Sequence, residues 1–407
     1  MLSKVCTHCL FGTGVVLQLV FMNLAAAQNQ VDFTKQEIAV IDAHGPWPGS
    51  IPPDPGNELS EFAWAQELGE YLFFSETLSA NKAISCGTCH QPELGFSENQ
   101  PVAIGLEQGV RNTQGLLDVG LHRWFGWGGG TDSLWAASIR PLLAVSEMGN
   151  DVVTLANTLR ADTHLRDAIQ KHLRDSDFKI TTAKKTLLNA NTDNNALVTG
   201  LSDEDVMVFA AKTIAAYMRT LRSKPTAFDR FRNALVNKEV QGQLAYSDSA
   251  KRGLKIFIGE ANCRTCHFGP NFSNEEFHDT GRSFFTSVGK VDPGRYAGIK
   301  RVQKDPFNLL GKHSTSDSSA QLKTSRVKLG QVNWGQWRTP SLRNLKVTGP
   351  YMHDGSLDTL REVVDAYADI DMERLHSQGE SLLKPLDLDD DQRNDLVNFL
   401  LSLSAEN

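Results

Sequence analysis

Cysteine is scarce, with six in 407 residues, and two of them, Cys6 and Cys9, lie at the extreme N-terminus. That leaves too few to staple a small-core scaffold with disulfides. Charge of one sign is also missing as a block. Lys and Arg number 41 against 48 Asp and Glu, a net charge of −7, and no long run of either sign occurs. Nucleic acid is excluded as a partner on that count, and nothing points to an anionic membrane surface. Beyond residue 27 there is no long apolar stretch, so no transmembrane helix is predicted and the protein is not an integral membrane protein. Strand signals are sparse, which makes the expected class mainly α.

The first 27 residues read as a secretory signal. Lys4 supplies the positive region, Leu10 to Leu24 the apolar stretch and Ala25-Ala26-Ala27 the small-residue cleavage site. Gly12, Thr13, Gly14, Gln18 and Asn23 interrupt the apolar stretch, which favours cleavage near Ala27 over a permanent anchor. Export is therefore expected, with Cys6 and Cys9 removed.

The four remaining cysteines form two copies of one motif, Cys86-Gly87-Thr88-Cys89-His90 and Cys263-Arg264-Thr265-Cys266-His267. C-x-x-C-H is the attachment signature of c-type haem. Two thiols a short step apart can each add to a haem vinyl group, and the adjacent histidine then provides the proximal nitrogen for iron. A four-cysteine zinc site does not call for a histidine after both pairs, and a redox dithiol wants a βαβ context. Two covalently bound c-type haems are the expected cofactors.

Residues 28–58 are rich in Pro, Gly and Asp and read as an extended arm. Glu58 to Phe74 reads as a helix. Residues 91–150 show little periodicity. Ser202 and Asp205 look like a capping box for a helix through Leu221. Further helices are expected over Ser249–Phe257, Leu360–Ala368 and Asp389–Leu403, and 313–326 reads as an exposed excursion. An internal repeat organises the chain. Gly69-Glu70-Tyr71-Leu72-Phe73 precedes the first motif and Gly253-Leu254-Lys255-Ile256-Phe257 the second; Gly95-Phe96-Ser97 and Asn271-Phe272-Ser273 follow them. The reading is two duplicated cytochrome c-like haem domains, over 59–235 and 236–407.

Taken alone, Trp127 reads more readily as a core aromatic than as a redox residue, and Glu147 as a solvated surface carboxylate. Together with Arg111-Asn112-Thr113, Glu147-Met148-Gly149, Arg338-Thr339-Pro340 and Pro350-Tyr351-Met352-His353-Asp354-Gly355, they make the chain resemble the bacterial dihaem cytochrome c peroxidases, MauG-like branch. The segment from Arg123 to Pro141 looks closest to members that oxidise tryptophan in a copper-binding partner protein.

The resemblance implies roles. Hydrogen peroxide would bind at the His90 haem, and His267 would hold the second, electron-transfer haem. Trp127 would relay electrons between them. Glu147 would be the acid/base, with Pro141 beside it. Asn112, Thr348 and Pro350 would hold an inter-domain calcium ion. The distal ligand of the second haem would be Tyr367, against Met372 as the rival. Plain dihaem peroxidases close the first haem with a histidine; the matching position is Leu106, so an open haem is expected. His122 is read as structural or propionate-bonding. Two departures stand out: Gly128 replaces a usual Asp, and Ala137 a usual Gln. The partner would be a protein substrate or electron donor, a small copper protein or cytochrome. The alternatives are a plain cytochrome c peroxidase and a non-enzymatic electron-transfer cytochrome. Trp334 and Trp337 could be surface relays or structural. The expected location is periplasmic.

Overall fold

A computed structural model describes residues 31–173, 201–282, 285–286, 289–373 and 383–405. The signal expected over 1–27 lies outside the described residues. The chain is mainly α. Its helices are α1 Lys35–Asp42, α2 Ala63–Phe73, α3 Cys86–Cys89, α4 Leu134–Leu143, α5 Val152–Ala161, α6 Thr163–Leu173 and α7 Asp203–Met218. They continue as α8 Ala227–Asn237, α9 Val240–Leu244, α10 Asp248–Ile258, α11 Arg295–Lys304, α12 Ser318–Arg326, α13 Leu360–Ala368 and α14 Asp390–Leu401. Two short antiparallel strands, β1 Phe277–His278 and β2 Trp337–Arg338, pair Phe277 with Arg338.

Helix starts follow side-chain chemistry. Thr34, Thr226, Thr359 and Asp389 each close a capping box, satisfying backbone N–H groups that a first turn leaves unpaired. Ser202 accepts from the Asp205 backbone N–H at 3.2 Å and starts α7 where the sequence placed it. Helix α2 begins later than the pattern implied. Asn57 bends the chain first, its side-chain oxygen accepting from the Leu59 N–H at 3.1 Å. The N-terminal arm is also not extended throughout: α1 lies within it. The Ser/Thr/Lys-dense segment holds helix α12, capped by Asp317 and tied inward where the buried Thr324 hydroxyl donates to Asp132 at 2.5 Å.

Two helix crossings carry the repeat into three dimensions. Helix α2 packs on α7 and α10 packs on α14. At each crossing a glycine of the repeat allows backbone contact. A Cβ on Gly69 would lie 1.9 Å from the Thr213 carbonyl oxygen, and one on Gly253 would lie 2.0 Å from that of Asp395. Around the first crossing Leu68, Leu72, Phe73, Trp135 and Ile214 form one apolar cluster. Around the second, Phe228, Phe257, Phe272, Leu396 and Phe399 form another. Each such large side chain removed from water stabilises by roughly 1.5–3 kcal/mol. Phe228 and Phe231 belong to the second cluster, so the change of core falls ahead of α8 rather than after 235.

The arm clamps the second cluster. Trp47 donates its indole N–H to the Ser223 carbonyl at 3.1 Å, and the Arg343 guanidinium lies 3.6 Å from the Trp47 ring centroid. Arg343 also forms a buried two-point pair with Asp229, both contacts at 2.9 Å.

Gly69→Ala and Gly253→Ala should each destabilise the haem-loaded protein by about 1–3 kcal/mol, the usual cost of forcing a methyl into a filled contact. Thermal denaturation checks this. An unchanged midpoint in both variants would mean that the crossings are not close-packed.

Candidate functional site

The two C-x-x-C-H motifs fold alike around their histidines. His90 and Phe96 make an Nδ1···O=C contact of 2.8 Å, and His267 and Phe272 one of 2.9 Å. With Nδ1–H donating to a carbonyl, the neutral ring turns its Nε2 lone pair outward as a ligand. Both phenylalanines have left-handed backbones, φ 58° and 50°, and each loop closes back on itself. Burial favours the neutral imidazole, lowering the His90 pKa and pushing His267 down to about 4. Burial likewise raises the thiols of Cys86, Cys89 and Cys263 to about 12. All four cysteines are free of disulfides.

A cavity of about 540 Å³ is lined by Cys263, Cys266, His267, Val364, Tyr367 and Leu400, among others. That volume is typical of cofactor sites. Two thiols, one neutral imidazole and an apolar wall are the donor set and surroundings that a c-type haem requires.

Tyr367 reaches this cavity from α13, and burial pushes its phenol up to about 12. Met372 is 46% exposed and is not among the cavity's lining residues. Asn112, Thr348 and Pro350 line the same cavity. The Asn112 amide donates to the Gln100 and Pro101 carbonyls at 3.1 and 3.3 Å, which leaves its own oxygen available as an acceptor. Among the described residues no group of three His, Cys, Asp or Glu could hold a metal ion. A site of one amide and two backbone carbonyls needs none.

Trp127 also lines the cavity, and its indole N–H donates to the Asn112 carbonyl at 2.9 Å. Its own carbonyl accepts from the Arg338 backbone N–H at 2.9 Å. The next residue back from Arg338, Trp337, is buried and stacks on His353 with centroids 3.6 Å apart. Trp334 is half-buried against Tyr296, at 5.5 Å.

His122 is held by an ion network. Its Nδ1 lies 2.8 Å from Glu275, and the Arg338 guanidinium reaches the other Glu275 oxygen at 3.3 Å. Burial alone would raise the Glu275 carboxyl, but the charges of His122 and Arg338 outweigh it and hold it at about 2. His122 also lines the cavity.

Glu147 sits in the tight turn after α4. Arg140 donates to its carboxylate at 2.5 Å, and the Leu106 N–H donates to its backbone carbonyl at 2.9 Å. Leu106, at the position where a closing histidine would stand, instead pins the turn that carries Glu147. The turn lies beside the first motif: the Cys89 Sγ is 3.7 Å from the Ile104 carbonyl, two residues before Leu106, and the charge of Glu147 partly opposes the burial that lowers the His90 pKa. Pro141 lies inside α4, and its carbonyl accepts from the Met148 N–H at 3.0 Å.

Sequence reasoning missed Arg140. It lies on the same helix as Ala137 and supplies the carboxylate with a partner that Ala137 cannot. The Gly128 departure has a steric cause. A Cβ there would lie 2.7 Å from the Gly294 carbonyl oxygen, and one on Gly298 would lie 1.9 Å from that of Gly128.

The Glu275 pairing makes stability depend on acid. Its carboxyl is depressed from an ordinary 4.5 to about 2 in the folded chain. Its contribution is thus full above pH ~4.5 and lost as pH falls through about 2. Acid titration of the folded fraction should show Glu275→Gln less stable at neutral pH and with a flatter slope over that window. An equal slope would contradict the pairing.

Residues 64–236 match the family described as di-haem cytochrome c peroxidase. The methylamine utilization protein MauG of Methylorubrum extorquens is 29% identical over 383 residues, covering 94% of this chain and 89% of that protein. The cytochrome-c peroxidase IdrP2 of Denitromonas iodatirespirans is 30% identical over 346 residues, covering 84% of this chain and 81% of that protein. A solved MauG-like protein associated with microbial copper homeostasis shares the fold, with a TM-score of 0.60 at 24% identity over 89% of this chain and 96% of its own. Likeness along almost the whole chain, with two haem-attachment motifs, means that this oxidoreductase belongs to the MauG-like dihaem cytochrome c peroxidase family.

Proposed function

We propose that the chain is an exported, periplasmic dihaem peroxidase that reduces hydrogen peroxide and takes the electrons from a protein partner, by oxidising a tryptophan of it. The observation that carries the MauG-like reading is the placing of Tyr367 in the cavity of His267 and its two cysteines, with Met372 exposed to solvent. Cys86 and Cys89 would attach one haem and Cys263 and Cys266 the other, with His90 and His267 as proximal ligands. The haems supply the redox chemistry; the chain's own residues do the rest.

A phenolate oxygen is a hard, anionic donor that favours oxidised iron, whereas a thioether favours reduced iron. Tyr367 therefore suits a centre that holds an oxidising equivalent, and Met372 would suit an electron donor. Burial favours the protonated phenol, so Tyr367 would have to give up that proton to serve as an iron ligand. Glu147 takes a proton from the near oxygen of peroxide and returns it to the departing one, as general base and then acid. Arg140 orients that carboxylate. The apolar Leu106 in place of a histidine leaves the His90 site open to peroxide. Trp127 carries electrons between the sites, its N–H held by the Asn112 carbonyl. Asn112, Thr348 and Pro350 would bind calcium where the segments 100–113 and 348–353 meet.

The solved relative's association with copper homeostasis favours a small copper protein as partner. The relatives named cytochrome-c peroxidases favour a second reading, in which a small redox protein supplies electrons and peroxide removal is the whole task.

Tyr367→Phe should keep both haems, change the low-spin absorption and electron paramagnetic resonance signals, and abolish partner oxidation. Met372→Ala should leave those signals unchanged. The reverse pattern would assign the ligand to Met372 and favour the second reading.

A further inference from the structure

Trp124 precedes Trp127 by three residues on one hairpin loop, closed where the Phe125 N–H donates to the Thr131 carbonyl at 3.1 Å. Three residues span at most about 11 Å, so an oxidising equivalent at Trp127 has a second indole within easy reach. The contacts of the two rings differ, and the Arg111 guanidinium beside Gly128 is paired with Asp292 at 2.6 Å. The Trp127 N–H faces a carbonyl oxygen, at 2.9 Å. Trp124, 7% exposed, has two cations over its ring: Arg295 Cζ at 4.3 Å and Lys323 Nζ at 5.4 Å from the centroid.

Both cations are built in. Arg295 is 4% exposed, lies 3.8 Å from the Phe277 centroid on its other contact, and donates to the Gly128 and Gly129 carbonyls at 3.3 and 2.7 Å. A Cβ on Gly129 would lie 2.5 Å from an Arg295 nitrogen, so the glycine run makes room for the guanidinium. Lys323 donates to the Arg123 carbonyl at 2.7 Å. Opposing charge reaches Arg295 from Glu276, and Lys323 from Asp132 and then Asp54. Burial lowers both groups, to about 10 and about 8, yet both remain cationic at neutral pH.

We propose that Arg295 and Lys323 shield Trp124 from one-electron oxidation and so confine oxidising equivalents to Trp127, as specificity-determining residues for the reaction. Removing an electron from an indole creates positive charge on the ring. Two fixed cations in a partly desolvated site oppose that charge by Coulomb repulsion, whereas a carbonyl dipole favours it. The inference rests on the reading of Trp127 as the relay.

When the shield fails, peroxide oxidises Trp124 itself. The indole gives up two electrons and gains one oxygen atom from hydrogen peroxide, and the other oxygen leaves as water. The test uses haem-loaded wild type, Lys323→Met, Lys323→Arg and Arg295→Met, each exposed to excess hydrogen peroxide without a donor. Tandem mass spectrometry then locates added oxygen at Trp124 and Trp127. Lys323→Met should raise oxidation at Trp124 several-fold, Lys323→Arg should match wild type, and Arg295→Met should raise it further. No gain at Trp124 in a Lys323→Met protein with wild-type haem content would overturn the shield, whether or not Arg295→Met folds. Oxygen that responds to the cations at Trp124 but never appears at Trp127 would instead overturn the relay reading and leave the shield standing.

Discussion

The bond from each motif histidine to a phenylalanine carbonyl is the constraint on which both haem sites depend. It fixes the imidazole tautomer and plane, and thereby the direction in which Nε2 is offered. Each carbonyl faces its histidine because Phe96 and Phe272 adopt a left-handed backbone, a conformation that costs a bulky residue on the order of 1–3 kcal/mol. That cost is offset by burial. Phe272 is fully buried among Phe228, Phe257 and Phe399, and Phe96 packs edge-on against Phe73. The cores and the ligands are thus one mechanical unit. The helix crossings at Gly69 and Gly253 place Phe73 and Phe257, and these position the rings whose backbone aims the histidines.

The loop that carries Trp127 is held largely through its backbone. The glycines at 128–130 lie directly against α11, and this close approach lets Arg295 bond to their carbonyls. Trp127 is then fixed at both ends, through its N–H to Asn112 and through its carbonyl to Arg338. Arg338 in turn joins the Glu275–His122 network. A loop with little regular structure is held in place in this way, as the proposed relay through Trp127 would require.

Much of this was legible in the sequence because it follows from local chemistry. C-x-x-C-H is a covalent requirement, and α14 announces itself through the apolar periodicity of Leu396, Val397, Leu400 and Leu401. The repeat was readable for the same reason: the glycine and phenylalanine in each copy have one backbone task. What could not be read depends on distant pairing. Arg140 as partner of Glu147, the role of Leu106 in holding that turn, and the reason for Gly128 all arise from contacts between separate segments. Helix α1 was hidden by the proline- and glycine-rich composition around it, although Thr34 and Glu37 carried a capping signal. Helix α12 was hidden by its Ser- and Thr-rich composition, which is stabilised here by the buried bond from Thr324 to Asp132.

The proposed chemistry requires an open His90 haem served by Glu147, with a second centre that is oxidised rather than pre-reduced. Rapid-mixing absorption spectroscopy of the fully oxidised protein with hydrogen peroxide tests it most directly. Immediate reaction is expected in the wild type, slowed by about 10²-fold or more in Glu147→Gln with both haems retained. A wild type that stays inert until one electron is added, or a Glu147→Gln protein that reacts at the wild-type rate, would contradict it.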